Sequence, residues 1–414
     1  MTDRQFLAEL AARYGTPLYA YDLAAVRRAA TALREDLPAG ARTYYSLKAN
    51  PHPRVVEALR AEGCEAEVSS VGELRAARAA GHTPDRLLYT GPGKSTTALR
   101  AALAAGVRTF SVESVTDRAR LDTLAGDAGV VCSCLVRLNG PAGSVGGSLR
   151  MTGGASPFGV DVADTEAVRS LLTPRDHTRP VGLHTYFATN VADEDGLLAE
   201  FDQAVRTSAA VCRDTGFVPS LLNLGGGFAA PQGVPGEPGR HPRLAAAVGG
   251  ALADHFPGAQ TRGTRLAFES GRYLVAAAGT LVTEVLDVKE ARGRTFAVLD
   301  AGVHTLGGLS GLGRLRAPDA RPYGLGRSPD GARTAEPSPV SLVGPLCTPL
   351  DVLNRSADVG DARAGDLFAV PNVGAYGLTA SLVGFLSHPL PVEVVHDAGT
   401  VTSVRRLGLG ETSL

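Results

Sequence analysis

Tryptophan is absent from this chain, methionine occurs only twice, and no apolar run reaches the length of a membrane span. The formal net charge is -1, with no clustered basic excess, which argues against a nucleic-acid footprint. The five cysteines (Cys64, Cys132, Cys134, Cys212, Cys347) form neither a CxxC pair nor a Cys/His cluster, so free thiols and no metal are expected. The first residues lead into a mixed-polarity helix and not into a signal peptide, so the expected compartment is the reducing cytoplasm. Fifty glycines beside many alanines and arginines point to a GC-rich coding sequence and not to a special fold.

A length of 414 residues implies two domains, or one large barrel with an addition. From Leu23 to Ala278, short β-prone runs (41–47, 86–89, 109–112, 131–138, 182–187, 221–224 and 265–268) alternate with helical stretches such as 53–61, 71–80, 96–105 and 196–215. Repeated βα units predict a parallel sheet and, at this number, a (β/α)8 barrel of the TIM type. After Gly279 the pattern changes to short strands joined by turn-rich connections (280–289, 295–299, 340–343, 367–370, 392–396 and 401–407), which predicts an antiparallel β domain. The polar interval 314–339 reads as a surface loop.

Chemistry is legible at the ends of several of these strands. Tyr44-Tyr45-Ser46-Leu47-Lys48-Ala49-Asn50-Pro51 places one lysine after an apolar run and before a turn. A partly dehydrated lysine there can attack an aldehyde to form a Schiff base, and a solvated loop lysine fits the same residues. Gly225-Gly226-Gly227 after a strand can aim backbone amides at a phosphate, or simply make a tight turn. Glu269-Ser270-Gly271-Arg272 puts a carboxylate and a guanidinium at a strand end, which also suits an exposed ion pair. His184 and Tyr186 share one face of a strand by its period of two, as substrate contacts or as a plain polar lining. In the β domain, Gly344-Pro345-Leu346-Cys347-Thr348-Pro349-Leu350-Asp351 and Gly374-Ala375-Tyr376-Gly377 each follow a strand. An isolated cysteine such as Cys347 is most often a small buried hydrophobe.

Taken together and in this order, the stretches resemble the fold-type III decarboxylases dependent on pyridoxal 5'-phosphate, which include the diaminopimelate, ornithine and arginine decarboxylases. The resemblance runs from Thr16 to Pro389. It implies an alanine-racemase-like barrel over 24–278, a β domain formed by 1–23 with 279–414, and a homodimer with shared active sites. By the same resemblance Lys48 holds the cofactor, and Gly225, Gly226, Gly227, Gly271 and Arg272 bind its phosphate. Tyr186, Thr189 and Tyr376 contact it, and Glu269 faces the pyridine nitrogen. Cys347 of the second copy protonates the carbanion. A thiol suits that task because its pKa can be tuned near neutrality. His184, Arg314, Thr348 and Tyr376 are the implied substrate contacts; Arg314 or Arg316 offers a cation for a carboxylate, and a solvated loop arginine fits each of the two as well.

Departures from the family pattern narrow the substrate. Thr348 stands where the basic-amino-acid decarboxylases place an acid for the distal ammonium, and a buried ammonium without a partner is costly. Tyr186 replaces the usual stacking histidine, so either His184 or Tyr186 covers the ring. Pro157 replaces the lysine before Phe-Gly, which removes the interface partner expected for Asp351, and Ser270 replaces a proline. Several of these features, with Asp300-Ala301-Gly302-Val303-His304 and Met151-Thr152-Gly153-Gly154, are similar to the glutamyl-carrier-protein decarboxylase of butirosin assembly. The expectation is therefore α-decarboxylation of an amino acid or amino-acyl conjugate, free or tethered to a carrier protein, in secondary-metabolite biosynthesis. The alternatives are diaminopimelate decarboxylation, an amino-acid racemase on the same barrel, and an inactive partner-binding relative.

Overall fold

The computed structural model describes residues 3–140, 149–150, 155–258, 263–307, 319–325 and 339–410. Two compact units divide the chain: Arg27–Ala229 with Gly239–Leu274, and Met1–Val26 with Ala230–Pro238 and Val275–Leu414.

With Leu18–Asp22 as β1 in the second of these, the first unit holds Arg42–Ser46 (β2), Glu65–Val68 (β3), Leu87–Tyr89 (β4), Thr109–Val112 (β5), Cys132–Asn139 (β6), Thr178–Thr185 (β7), Leu221–Asn223 (β8) and Arg265–Ser270 (β9). Each of these eight pairs in parallel with the next, and β9 returns to β2 through Ala267 opposite Arg42, so the sheet closes on itself. Parallel neighbours need crossover connections, and helices such as Pro53–Ala61, Val71–Ala79, Thr96–Ala104 and Glu194–Thr215 supply them. Their starts are written in the sequence. Ser70, Ser95, Ser114, Asp164 and Asp193 each accept a hydrogen bond from the third helical amide, a cap worth about 1 kcal/mol. Tyr44, Leu88, Leu135, Leu221 and Ala267 pack together in one buried cluster. Gly182 is required there because a Cβ would run into the Leu221 carbonyl.

The expected TIM barrel is present, with one strand that hydrophobic patterning did not show. β3 reads Glu-Ala-Glu-Val and is nevertheless buried along its whole length. Its two carboxylates are tolerated because cations reach them: Arg42 lies 3.6 Å from Glu65, and Lys48 lies 3.4 Å from Glu67. The strand carrying His184 ends at Thr185, so Tyr186 lies beyond it and the two do not share a strand face.

The second unit adds Gly279–Ala291 (β10), Arg294–Leu299 (β11), Val340–Val343 (β12), Val352–Ala357 (β13), Leu367–Val370 (β14), Val392–Asp397 (β15) and Thr400–Arg406 (β16). The sheet runs β13-β12-β11-β10-β1-β15-β16, with β14 on β10. Most pairs are antiparallel as expected, but β1 with β15 and β11 with β12 are parallel, so the sheet is mixed. The helix Asp3–Tyr14 buries Leu7, Leu10 and Ala11 against Leu18, Val282 and Val394. Among the described residues no helix is long and apolar enough to cross a membrane.

Candidate active site

The C-terminal ends of the barrel strands gather the polar residues, where barrel enzymes place their chemistry. Lys48 lies in a short 3-10 turn, Leu47–Ala49, directly after β2. Its Nζ is 3.4 Å from both carboxylate oxygens of Glu67, and 6.0 Å from the centre of the Tyr186 ring. Glu67 is buried and also accepts a 2.5 Å hydrogen bond from the Thr90 hydroxyl. The chain holds only three lysines. Lys94 is buried in an ion pair with Asp117 at 2.7 Å, and Lys289 lies exposed on β10 beside Asp287. Lys48 is thus the lysine at the barrel mouth.

Glu269, near the end of β9, is buried, and its Oε1 accepts a 2.7 Å hydrogen bond from Asn223 Nδ2. His184 Nε2 lies 3.2 Å from the same oxygen without hydrogen-bond alignment, while His184 Nδ1 pairs with the Ser111 hydroxyl at 2.8 Å. Burial alone would raise the Glu269 pKa. The facing His184 imidazole, helped by Lys48 and Arg137, outweighs burial and holds the carboxyl well below the usual carboxylate range. Glu269 is therefore an anion kept in a buried place.

Between these groups runs the glycine turn. Gly225 (φ +74°) and Gly227 (φ +112°) adopt left-handed backbone, and a Cβ on Gly225 or Gly226 would strike the carbonyl of Thr185 or Glu269 respectively. The Gly225 amide donates to Asn223 Oδ1 at 3.0 Å. Among the described residues the amides of Gly226, Gly227 and Gly271 have no acceptor, and the first two glycines of that group are buried. Buried amides without acceptors are rare, and a glycine turn that leaves them free is suited to an anion. The edge of Tyr186 packs on the same turn, since a Cβ on Gly226 would lie 2.9 Å from Tyr186 Cε2. That places Tyr186, and not the strand-bound His184, beside both the glycines and Lys48. Thr189 pairs with Leu149 in a two-residue ladder. Glu113 and Arg137 form a buried ion pair at 2.9 Å, and Glu113 also receives the Gly159 amide at 2.7 Å. Arg137 stacks on Phe158, so the segment after Pro157 is held without a lysine.

In the second unit, Asp351 organises the turn that bears Cys347. Asp351 is buried and accepts hydrogen bonds from the amides of Val303 (2.7 Å) and Leu346 (2.8 Å). Gly302 and Gly344 leave the space its carboxylate fills. The missing partner expected for Asp351 is thus supplied within its own unit. Cys347 is exposed, whereas Cys64, Cys132, Cys134 and Cys212 are buried. Burial pushes the Cys64 thiol up to about 12 and the Cys132 thiol to about 11, so those are inert as acids. The isolated-hydrophobe reading therefore does not describe Cys347. Thr348 is half-buried, and its Oγ1 accepts from the Leu350 amide at 3.3 Å. Tyr376 sits at φ +54°, a strained value for a tyrosine, between glycines that admit no Cβ. Arg314, Arg316 and the loop 151–154 lie outside the described residues.

Residues 23–276 match the family model described as the pyridoxal binding domain of pyridoxal-dependent decarboxylases. The chain belongs to the pyridoxal-dependent decarboxylases. It is 32% identical over 414 residues to an L-glutamyl-[BtrI acyl-carrier protein] decarboxylase of Niallia circulans, covering 99% of this chain and 95% of that protein. It is 34% identical to a diaminopimelate decarboxylase of Actinosynnema pretiosum subsp. auranticum, covering 96% and 88%. A diaminopimelate decarboxylase structure from M. jannaschii with L-lysine shares the fold at a TM-score of 0.82 and 23% identity, covering 95% of this chain and 90% of that one. This decarboxylase is accordingly a pyridoxal-phosphate enzyme acting on an amino acid or its conjugate, and the residues above fit that cofactor. A lysine, a triad of free amides and a buried anion are what its aldehyde, phosphate and pyridine nitrogen each require.

Sequence reasoning passed over Glu67, Ser111, Asn223, Thr90 and the Glu113–Arg137 pair. The one available signal was the pair of glutamates at i and i+2 in an otherwise apolar stretch, Glu65 and Glu67.

Proposed function

We propose that this decarboxylase removes the α-carboxylate of an amino-acyl group that carries no distal ammonium and is presented on a carrier protein. The observation that carries the reading is Thr348. It stands directly after Cys347 and offers dipoles but no charge, so a substrate ammonium buried beside it would go unpaired. The carrier-bound substrate named for the Niallia circulans relative supports the conjugate.

In this reading Lys48 binds the cofactor aldehyde covalently, and the amides of Gly226, Gly227 and Gly271 with Arg272 hold the phosphate. Tyr186 covers the ring, with Gly225, Thr189 and Tyr376 completing the cofactor site. Pyridoxal phosphate, when bound, supplies the electron sink for the pair left by departing CO2. Glu269 keeps a proton on the pyridine nitrogen, and His184, held by Ser111, and Asn223 keep Glu269 ionised and fixed in place. Glu67 is a negative partner for Lys48 Nζ whenever the amine is free. Cys347, contributed by the second copy in a homodimer, returns a proton to Cα.

The test is release of carboxyl-labelled CO2 across a panel of free diamino acids and of amino acids thioesterified through a side-chain carboxyl. An ammonium without its partner costs about 3 kcal/mol or more, so kcat/KM for lysine, ornithine and diaminopimelate should lie at least about 100-fold below that for the thioester. Efficient turnover of diaminopimelate would return the chain to the activity of its Actinosynnema relative.

A further inference from the structure

Beside Cys347 the second unit contains a groove of about 570 Å³, lined by Val303, Thr348, Leu350, Leu382, Phe385 and their neighbours. The volume falls among small-molecule clefts and gives room for on the order of 15–20 water-sized groups at about 30 Å³ each. Among the described residues, none that lines it carries an ionisable side chain. Leu350, Leu382 and Phe385 remain 55%, 40% and 42% exposed, an apolar surface that folding of the described residues leaves open. Polar capacity is sparse. The Ser381 hydroxyl is spent on Gly377 O and Gly307 N, whereas Thr348 Oγ1 only accepts, from Leu350 N, and among the described residues its hydroxyl hydrogen has no acceptor.

Chemistry decides what this groove takes. An enzyme that removes the α-carboxylate cannot accept an aminoacyl group tethered through that carboxylate. A carrier-bound substrate must hang from its side-chain carboxyl, so the tether begins where a diamino acid would have its distal ammonium. Thr348, the residue that fails to supply a charge there, is also a wall of the groove. A neutral thioester followed by a chain of methylenes and amides needs no counter-charge. It needs apolar cover and an occasional hydrogen-bond donor, which Leu350, Leu382, Phe385 and the Thr348 hydroxyl provide. In the shared-site reading a second copy adjoins this face, but stable protein interfaces bury about 800 Å² on each partner over a broad surface, whereas a slot of this size suits an extended tether running along that border.

We infer that the Thr348–Phe385 groove holds the uncharged pantetheine-type tether of a substrate linked through its side-chain carboxyl. The inference rests on the carrier-bound reading above. The probes are two γ-glutamyl thioesters, one of N-acetylcysteamine and one of pantetheine, assayed for CO2 release with the holoenzyme. The longer thioester should have a kcat/KM at least about tenfold higher. In Leu382→Glu and in Phe385→Glu that ratio should fall to near one, while Leu382→Met should keep it. Equal kcat/KM for both thioesters in the wild type overturns the groove and leaves the carrier-bound reading standing. Turnover of neither thioester, with free diaminopimelate decarboxylated, overturns both. Light scattering on the same variants separates the remaining case: a glutamate that dissociates the copies and lowers both thioesters equally shows that the second copy, and not a tether, fills the groove, and sinks the inference.

Discussion

Glu269→Gln isolates the charge of the buried anion with little change in shape. The glutamine oxygen can still accept from Asn223 Nδ2, which lies 2.7 Å from Oε1, so the local packing should survive. What disappears is a carboxylate that the surroundings hold ionised, with His184 Nε2 3.2 Å away and Lys48 and Arg137 contributing from farther off. A neutral amide cannot keep a proton on the pyridine nitrogen, so the electron pair left by CO2 is drawn off less strongly. Hydrogen bonds to charged groups contribute about 1.5–3 kcal/mol, against about 1 for neutral ones. If the charge-dependent part operates in the transition state, a loss of about 1.5–3 kcal/mol becomes about a 10- to 150-fold fall in kcat. The assay is single-turnover release of labelled CO2 at saturating cofactor, beside an absorbance titration of pyridoxal phosphate. Cofactor affinity should change far less than kcat, because the phosphate and aldehyde contacts remain. A Glu269→Gln enzyme within twofold of wild-type kcat would refute the role given to this carboxylate.

Gly226→Ala places a methyl group against the Glu269 carbonyl and 2.9 Å from the Tyr186 ring, and should lower Tm, read by thermal melts, and weaken cofactor binding more than tenfold, read by titration. Burial holds the imidazoles of His82 and His304 at about 4 against an ordinary 6.5, with neighbouring cations adding to it at His82 and His388 at His304. Between those values the unfolded chain binds more protons than the folded one, so stability should rise with pH from 4 to 6.5. Tm should accordingly fall from pH 7 to pH 5, and less steeply in His82→Leu/His304→Leu; an unchanged slope in that double variant would rule these histidines out. Mixing inactive Lys48→Ala and Cys347→Ala proteins should restore activity on subunit exchange, because one composite site in each heterodimer then has both residues. Exchange without recovered activity would end the shared-site proposal.

Much of the barrel was legible because short apolar runs alternate with helical stretches; the caps at Ser70, Ser95 and Ser114, which the alternation does not need, mark the same helix starts. β3 was not legible, since Glu65 and Glu67 look solvated until Arg42 and Lys48 are brought to them by the closing of the sheet. For the same reason the polar residues that fix others, Ser111 behind His184 and Asn223 behind Glu269, escaped notice. Each lies in an ordinary strand sequence, and its partner is more than forty positions away in the chain. Lys48, Glu269 and the glycines stood out because strand-end positions demand unusual residue types. The parallel pairings of β1 with β15 and β11 with β12 depend on long-range closure that local alternation does not encode.

The most direct test of the account is where the cofactor attaches. Holoenzyme reduced with borohydride, digested and mapped by mass spectrometry should carry the pyridoxyl group on the peptide containing Lys48, and the Lys48→Ala protein should carry none. With only Lys94 and Lys289 as competitors, the outcome is unambiguous. A stoichiometric adduct on either of those two, or full decarboxylase activity in Lys48→Ala, would contradict it.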